Sequence, residues 1–398
     1  MSLMVTLASG RQPKTSESPL TSPPIVRHTV QRDNYQEVYL TLTQREEDLD
    51  AQFDALARAI VEAGFEPITE KVFGSLDEQE AIRSARARAY THHGLEPTRP
   101  FVLVEGASTV ADAPLAGIQL WGVTVGDGQR VTTLRTDDGA TRLWRSPGFE
   151  LAWVCHTDRR LEEASSSPRG QARALLERAG TLLAAHKMSF ADVHRTWFYL
   201  AEILDWYPEF NRLRSRFFDE VGLRQDAAGL QLPASTGIQG RTGQAECALD
   251  LLAAHGDVRF TPIRSSSRQG PAASYGSSFS RAAIMELCGE KTLFVSGTAS
   301  IDDAGRASTW ATPKGKVWRR CWPSRRSCGS EACAGPTWRR GRSISRRQTP
   351  RRLGLGSASG SSCQCFPWCR SSRTSVDQSC WWSSRSSPPS GDERSHER

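Results

Sequence analysis

The chain has 398 residues, 38% of them hydrophobic and 24% charged, with a formal net charge of +7. That length allows two or three domains with cores of their own, and no run approaches the roughly 18 apolar residues of a membrane span. The N-terminal stretch MSLMVTLASGRQPKTSESPLTSPP has no apolar h-region, so the expectation is a cytoplasmic protein with reduced thiols, not a secreted one. Residues 1–30 read as disordered. Tyr39–Thr43 then reads as a strand. Leu49–Ala63 reads as a helix with Leu49, Phe53, Leu56, Ala57 and Ile60 on one face, ended by Gly64. Pro67–Phe73 is expected as a strand, Asp77–Tyr90 as a helix, and Phe101–Val104 and Gly117–Val123 as further strands.

The same order recurs downstream. Gly148–Cys155 reads as a strand. Gln171–Lys187 reads as a helix with Leu175, Leu176, Ala179, Leu182 and Leu183 inward. Val193–Leu200 is a strand, and Trp206–Val221 is a helix with Phe210, Leu213 and Phe217 on one face. Pro233–Ile238 and Glu246–Ala253 follow as strands, and a third copy opens with Tyr275–Leu287 and Thr292–Ser300. Gly126–Ala140 and Gly256–Pro271 read as linkers. A ββαβαββ unit repeated about every 110 residues predicts α+β modules packed about a pseudo-threefold axis. Their expected bounds are 31–125, 145–255 and 272–307.

The composition changes near Ala307. Residues 308–398 hold 18 of the Lys and Arg but only 5 of the Asp and Glu, a net of +13 that leaves the body at −6. They also hold 7 of the 10 Cys, 7 of the 12 Trp and only five Val, Ile or Leu. Three readings compete. An Arg-rich arm with Trp would suit nucleic acid. Cys363, Cys365 and Cys369 with His396 could ligate a metal, although paired CxxC spacing is missing. The third reading is a shifted reading frame. Cys and Trp codons both begin TG, so reading one base earlier turns each into Leu, Val or Met. The decoded stretch from Cys321 to Trp338 becomes an amphipathic helix, and Ile344–Pro350 becomes a strand with its turn. Cys363–Ser387 becomes two buried strands. Decoded segments in the order of the missing half-module favour the shifted frame, with one base lost near Ser308. Residues 308–398 are then expected to be a disordered basic tail. No nucleic-acid or membrane partner is expected.

Ordered strings in the body carry a family resemblance: RTWFYL (195–200), ILDWYPEFN (203–211), PASTGI (233–238), SSFSRA (277–282) and SGTASI (296–301). Together they resemble the bacterial chorismatases, including the 3-hydroxybenzoate synthases, on a RidA/YjgF-like (chorismate mutase-like) fold. The resemblance covers about residues 145–307, and the first module matches only as another unit of that fold. It implies tandem modules with the third incomplete, and cleavage of chorismate to pyruvate plus a hydroxybenzoate or a dihydroxycyclohexadiene carboxylate. It implies neither metal nor organic cofactor. Enol-ether protonation calls for a buried carboxylic acid of raised pKa. The Cys and Glu that the resemblance implies fall in the lost frame near Val376 and Ser383, so this chain is expected to be inactive. The alternatives are a RidA-like imine or enamine deaminase, disfavoured because PASTG lacks the arginine of that family's turn, and a non-catalytic ligand-binding scaffold. A monomer with an intramolecular pseudo-trimer, or a homo-oligomer, fits three modules in one chain.

A dicarboxylate such as chorismate needs cations or backbone N–H donors. Arg195 alternates with Trp197 and Tyr199 on one strand face, and Arg195 and Tyr199 are expected to face a cleft. Ala234, Ser235, Thr236 and Gly237 could present N–H groups to a carboxylate. Ser278, Phe279 and Arg281 are expected as a third wall. For Arg195 a structural ion pair, for the 234–237 stretch an ordinary turn, and for Phe279 a core position are the bland readings. His156 and Asp158 read as a surface loop, His92 and His93 as a helix end, and His194 as packed or solvated opposite Arg195. A phosphate loop of the GxxxxGK[ST] type is absent.

Overall fold

The structure, a computed structural model, describes residues 4–6, 25–43, 48–108, 110, 112–223, 231–266 and 269–297. Residues 298–398, and with them the shifted-frame reading, lie outside the described residues. A short N-terminal strand, β1 (Met4–Thr6), precedes the first unit. That unit runs β2 (Ile25–Gln31), β3 (Gln36–Thr43), α1 (Leu49–Ala63), β4 (Glu66–Gly74), α2 (Gln79–His92), β5 (Val102–Glu105) and β6 (Leu115–Thr124). Its sheet order is β2-β3-β6-β4-β5, with β4 and β5 parallel and the other pairs antiparallel.

The second unit runs β7 (Arg130–Thr136), β8 (Gly139–Ser146), β9 (Phe149–Cys155), α3 (Leu161–Ala164), α4 (Pro168–Ala184), β10 (Val193–Leu200), α5 (Ile203–Glu220), β11 (Ala234–Gln239) and β12 (Cys247–Gly256). Its order, β11-β10-β12-β9-β8-β7, repeats the first sheet with one strand added at the edge, and the parallel pair is again the one at the far end. The described part of the third unit is β13 (Val258–Ile263), a 3-10 turn at Ala272–Tyr275, β14 (Ala282–Leu287) and β15 (Glu290–Val295). Its sheet order is β1-β15-β14-β13.

Local signals explain the helix ends. The Asp48 side chain caps α1 by accepting from the Ala51 N–H at 2.6 Å, and Gly64 closes it in the left-handed region at φ 59°. Ser167 caps α4 by accepting from the Gly170 N–H at 3.1 Å, and Pro168 supplies a first-turn residue that needs no donor. The expected apolar stripes are buried. Phe53, Leu56 and Ile60 of α1 pack with Leu40, Val72 and Ile118, and Leu175, Leu176, Leu182 and Leu183 of α4 pack with Phe198 and Leu251.

Four expectations need correction. Residues 25–30 are not disordered but form most of β2, which pairs with β3 along its whole length, and Met4–Thr6 are also paired. Gly126–Ala140 is not a plain linker, because Arg130–Thr136 is an edge strand whose largely exposed residues gave no apolar signal. Gly256–Pro271 likewise contains β13. The strand expected from Tyr275 begins only at Ala282, after the 3-10 turn and its Gly276.

The other faces of the three sheets meet. Tyr35, Trp121 and Val123 from the first, Trp144, Trp153 and Leu252 from the second, and Ala283, Met285 and Phe294 from the third form one buried cluster. Two α+β units and the described strands of a third therefore surround a common core, with the helices of units one and two outside it, as the expectation of packed repeats required. Each large side chain fully withdrawn from water there contributes about 1.5–3 kcal/mol.

Candidate functional site

Units two and three meet along β11. Parallel pairing sets Arg195 opposite Ala234, Thr196 opposite Ser235 and Trp197 opposite Thr236. Alternation then divides the residues by face. Arg195, Trp197, Tyr199 and Thr236 face the common core, and Thr196, Phe198, Ser235 and Gly237 face α5. Arg195 is fully buried, donates to Thr236 Oγ1, and lies 4.8 Å from the Trp197 ring centroid. Burial lowers its pKa, and Asp250 and Tyr199 partly oppose the shift.

Tyr199 shares that face but serves a different contact. Its Oη accepts from Lys71 Nζ of unit one at 3.2 Å. Lys71 Nζ also lies 2.8 Å from Asp250 Oδ2 and 3.5 Å from the Trp197 ring centroid, and Trp153 Nε1 donates to the same carboxylate oxygen at 3.0 Å. Tyr199 thus belongs to the joint between units one and two, which corrects its assignment to a cleft wall. Burial, with the Asp250 charge beside it, holds the phenol well above its usual pKa.

On the α5 side, Ser235 Oγ accepts from Thr196 Oγ1 at 2.9 Å and from Arg214 Nη1 at 3.4 Å. Arg214 is buried, donates to Asn211 Oδ1 at 2.7 Å, and its guanidinium carbon sits 5.8 Å from the Phe279 ring centroid. Successive residues of β11 therefore each meet a buried guanidinium, one on either face of the sheet. The expected N–H cradle at 234–237 is used by the fold: the Ser235 N–H donates to Ser296 Oγ at 2.8 Å, and the strand pairs with β10. Gly297 completes the seam, its N–H lying 3.0 Å from both Ser235 O and Thr236 Oγ1.

Gly237 lies under the Tyr207 ring, where an added Cβ would meet it at 3.6 Å. Ser280 Oγ donates to Leu232 O at 2.6 Å and fixes the incoming segment. Arg281 donates to Gly270 O at 3.0 Å and lies 5.4 Å from the Phe279 ring centroid, so Phe279 sits in packing between Arg214 and Arg281. Ser278 Oγ lies 2.6 Å from Ser215 Oγ of α5. A cleft of about 400 Å³ opens beside this pair, lined among others by Arg212, Ser215, Arg216, Asp219, Ser277 and Ser278. Of the eight expected binding residues, Ser278 lines it. Ser235 and Phe279 lie against the buried Arg214 of α5, Arg281 packs on Phe279, and Arg195 with Thr236 lies on the other face of the sheet, towards the common core.

The sequence reading missed Arg212, Arg214, Ser215 and Arg216. One signal was present: an arginine at 214, between Phe210 and Phe217 on the apolar stripe of α5, has to be buried. Elsewhere, His156 Nε2 lies against Phe101 O and Asp158 accepts from Thr242, so this turn joins units one and two and is no open loop. His194 is packed, with Nε2 3.2 Å from Ala254 O and its ring on Phe260, and burial lowers its pKa to about 4. His93 ends α2 and contacts Asp54 at 2.7 Å. No helix among the described residues is long and apolar enough to cross a membrane.

The seam depends on the missing side chain at 297. A Cβ there would lie 2.8 Å from Thr236 Cγ2 and 3.1 Å from its Oγ1, and Thr236 is held by Arg195. Gly297→Val should destabilise the chain by about 1–3 kcal/mol in denaturant unfolding. Gly180→Ala, where the new Cβ meets only Phe190 at 3.6 Å inside α4, should stabilise by about 0.5–1 kcal/mol. Equal effects at the two sites would remove the argument for a tight β11 seam.

No protein-family model matches the chain, and no curated protein does. Several solved structures are similar to it. A chorismatase is 18% identical, with a TM-score of 0.47 over 74% of this chain and 78% of that one. Escherichia coli TdcF with bound serine is 16% identical, with a TM-score of 0.24 over 29% of this chain and 86% of that one. NMB1025 of Neisseria meningitidis, a member of the YjgF family, is 17% identical, with a TM-score of 0.25 over 33% of this chain and 98% of that one.

Proposed function

We propose that the cleft between α5 and the 273–278 segment binds a small dicarboxylate of the chorismate class, and that this chain binds without turnover. The observation that carries the reading is the wall of that cleft. Arg212 and Arg216 are one helical turn apart, with Ser215, Ser277 and Ser278 as hydroxyl donors, in a space of about 400 Å³. Two guanidiniums on one side suit two carboxylates, and hydroxyls suit the oxygens between them. On the inner side of the same helix, buried Arg214 is held by Ser235 and Asn211.

Cleavage of the enol ether needs a protonated acid beside the ring, with the proton going to the enol carbon before pyruvate leaves. The carboxylate of the cleft wall, Asp219, is exposed and not in the buried setting that such a general acid calls for. The required acid belongs to the segment expected near Ser383, where this reading frame carries Ser in place of Glu. Binding without cleavage is the outcome that follows for the chain as it stands.

Titration calorimetry with chorismate, run beside a coupled pyruvate assay, tests both halves. Expected are saturable binding, weakened about 10- to 150-fold by Arg212→Met, as for loss of one charge-assisted hydrogen bond, and no pyruvate above the uncatalysed rate. Pyruvate release by this chain would overturn the inactivity, and absence of saturable binding would overturn the cleft. Resequencing the codons of residues 305–313 checks the frame directly. One additional base there restores the expected strand, and an unchanged reading leaves the tail as written.

A further inference from the structure

The sheets differ in one place that the repeat makes visible. In unit one, β3 lies between β2 and β6, and in unit two β9 lies between β8 and β12. In each case the second neighbour is antiparallel and is the last strand of its own unit. In unit three the strand in that position, β15, lies between β14 and β1. The N-terminal strand thus stands where the closing strand of the unit would pair, in the same antiparallel sense.

The register agrees as well. The β8–β9 hairpin closes with Ser146 opposite Phe149, and the β14–β15 hairpin closes with Leu287 opposite Glu290. Superposing these turns aligns Ala152 with Leu293. Ala152 pairs with Ala253 of β12, and Leu293 pairs with Val5. Met4, Val5 and Thr6 therefore hold the places that Leu252, Ala253 and Ala254 hold in unit two. The match is short: β1 has three residues where β12 has ten.

We infer that the β15 edge is an acceptor site for an extended antiparallel strand, occupied in this chain by its own residues 4–6 as a stand-in for a closing strand. The physical reason is the row of unpaired N–H and C=O groups that a sheet edge presents, which recruits whatever strand can reach it. A three-residue pairing recovers only part of that row, so the contact is a local latch and not a part of the global fold. The inference is independent of any ligand in the α5 cleft.

Hydrogen exchange on the full chain and on a chain lacking residues 1–10 tests it. Deletion should accelerate exchange of the β15 amides turned towards β1, Leu293 first, by about tenfold or more and leave Val193–Leu200 unchanged. A peptide of residues 1–10 added in trans should restore the protection. Val5→Pro, which removes a backbone donor at full chain length, should act like the deletion. Unchanged protection at 290–295 in both variants would overturn the inference. So would a loss that spreads to β10, since the contact would then belong to the global fold, or failure of the peptide to restore protection.

Discussion

Replacing Lys71 by methionine should lower the unfolding free energy by about 3–5 kcal/mol, as expected when one partner of a buried ion pair is removed. Lys71 of unit one enters unit two between Tyr199, Trp197 and Asp250, and its ammonium lies 2.8 Å from a fully buried carboxylate. Desolvation outweighs the attraction of Asp250 and lowers the lysine pKa to about 8. Without the ammonium, Asp250 keeps the Trp153 indole and the Tyr199 hydroxyl as hydrogen-bond partners but loses its closest cation.

The intact protein should gain stability as pH rises above about 8. Between about pH 8 and 10 unfolded Lys71 keeps its proton and folded Lys71 loses it, so this group makes stability rise with pH. Above pH 10 the raised pKa of Tyr199 opposes it, because the folded phenol holds a proton that the unfolded one gives up. The double variant Lys71→Met with Asp250→Leu should regain most of the loss. Guanidinium unfolding at pH 5, 7 and 9 measures all three chains. A single variant within about 1 kcal/mol of the parent would show that the joint is wetter than the fully buried Asp250 implies.

Glu70→Gln should cost a similar amount, about 3–5 kcal/mol, but within unit one alone. Arg86 Nε and Nη2 reach Glu70 Oε1 and Oε2 at 2.7 and 2.8 Å, Tyr90 Oη donates to Oε2 at 2.9 Å, and both charged groups are buried. Burial would raise the carboxyl pKa. The charge and hydrogen bonds of Arg86, with help from Arg99 and Tyr90, prevail and lower it. A lowered folded value means that the contribution is complete above the unfolded carboxyl pKa, about 4.5, and is lost as pH falls through the folded one. The parent should therefore lose stability below pH 4.5 more steeply than the glutamine variant. Parallel acid slopes in denaturant titrations at pH 3 to 6 would contradict the assignment. Glu70→Asp, which keeps the charge but cannot reach both nitrogens, should fall between the two.

The repeated ββαβαββ order was legible in the sequence because apolar periodicity records which face of each element is buried. Leu49–Ala63 and Val193–Leu200 were read with the bounds they have, the helix because its apolar stripe stops at Gly64 and the strand because its aromatic and β-branched residues alternate between faces. Strands β2, β7 and β13 were missed because their residues are largely exposed or half-buried, which leaves little apolar pattern to read. For the candidate site, residue types were legible but partners were not. Arg195, Ser235 and Thr236 do gather at one seam, yet Tyr199, two residues beyond Trp197 on the same face, is taken by Lys71 from another unit.

The sequence by itself determined the elements, the repeat and the apolar faces, because these follow from local dihedral preference and from hydrophobic periodicity along the chain. Only the tertiary structure decided which polar groups share a space. Lys71 meets Asp250 across 179 positions of the chain, Arg214 reaches Ser235 across 21 positions, and Met4–Thr6 pairs with a sheet made of residues near 290. Those meetings arise from packing three sheets around one core. Contacts between such distant positions are fixed by the geometry of the whole and leave no periodic trace in any one segment.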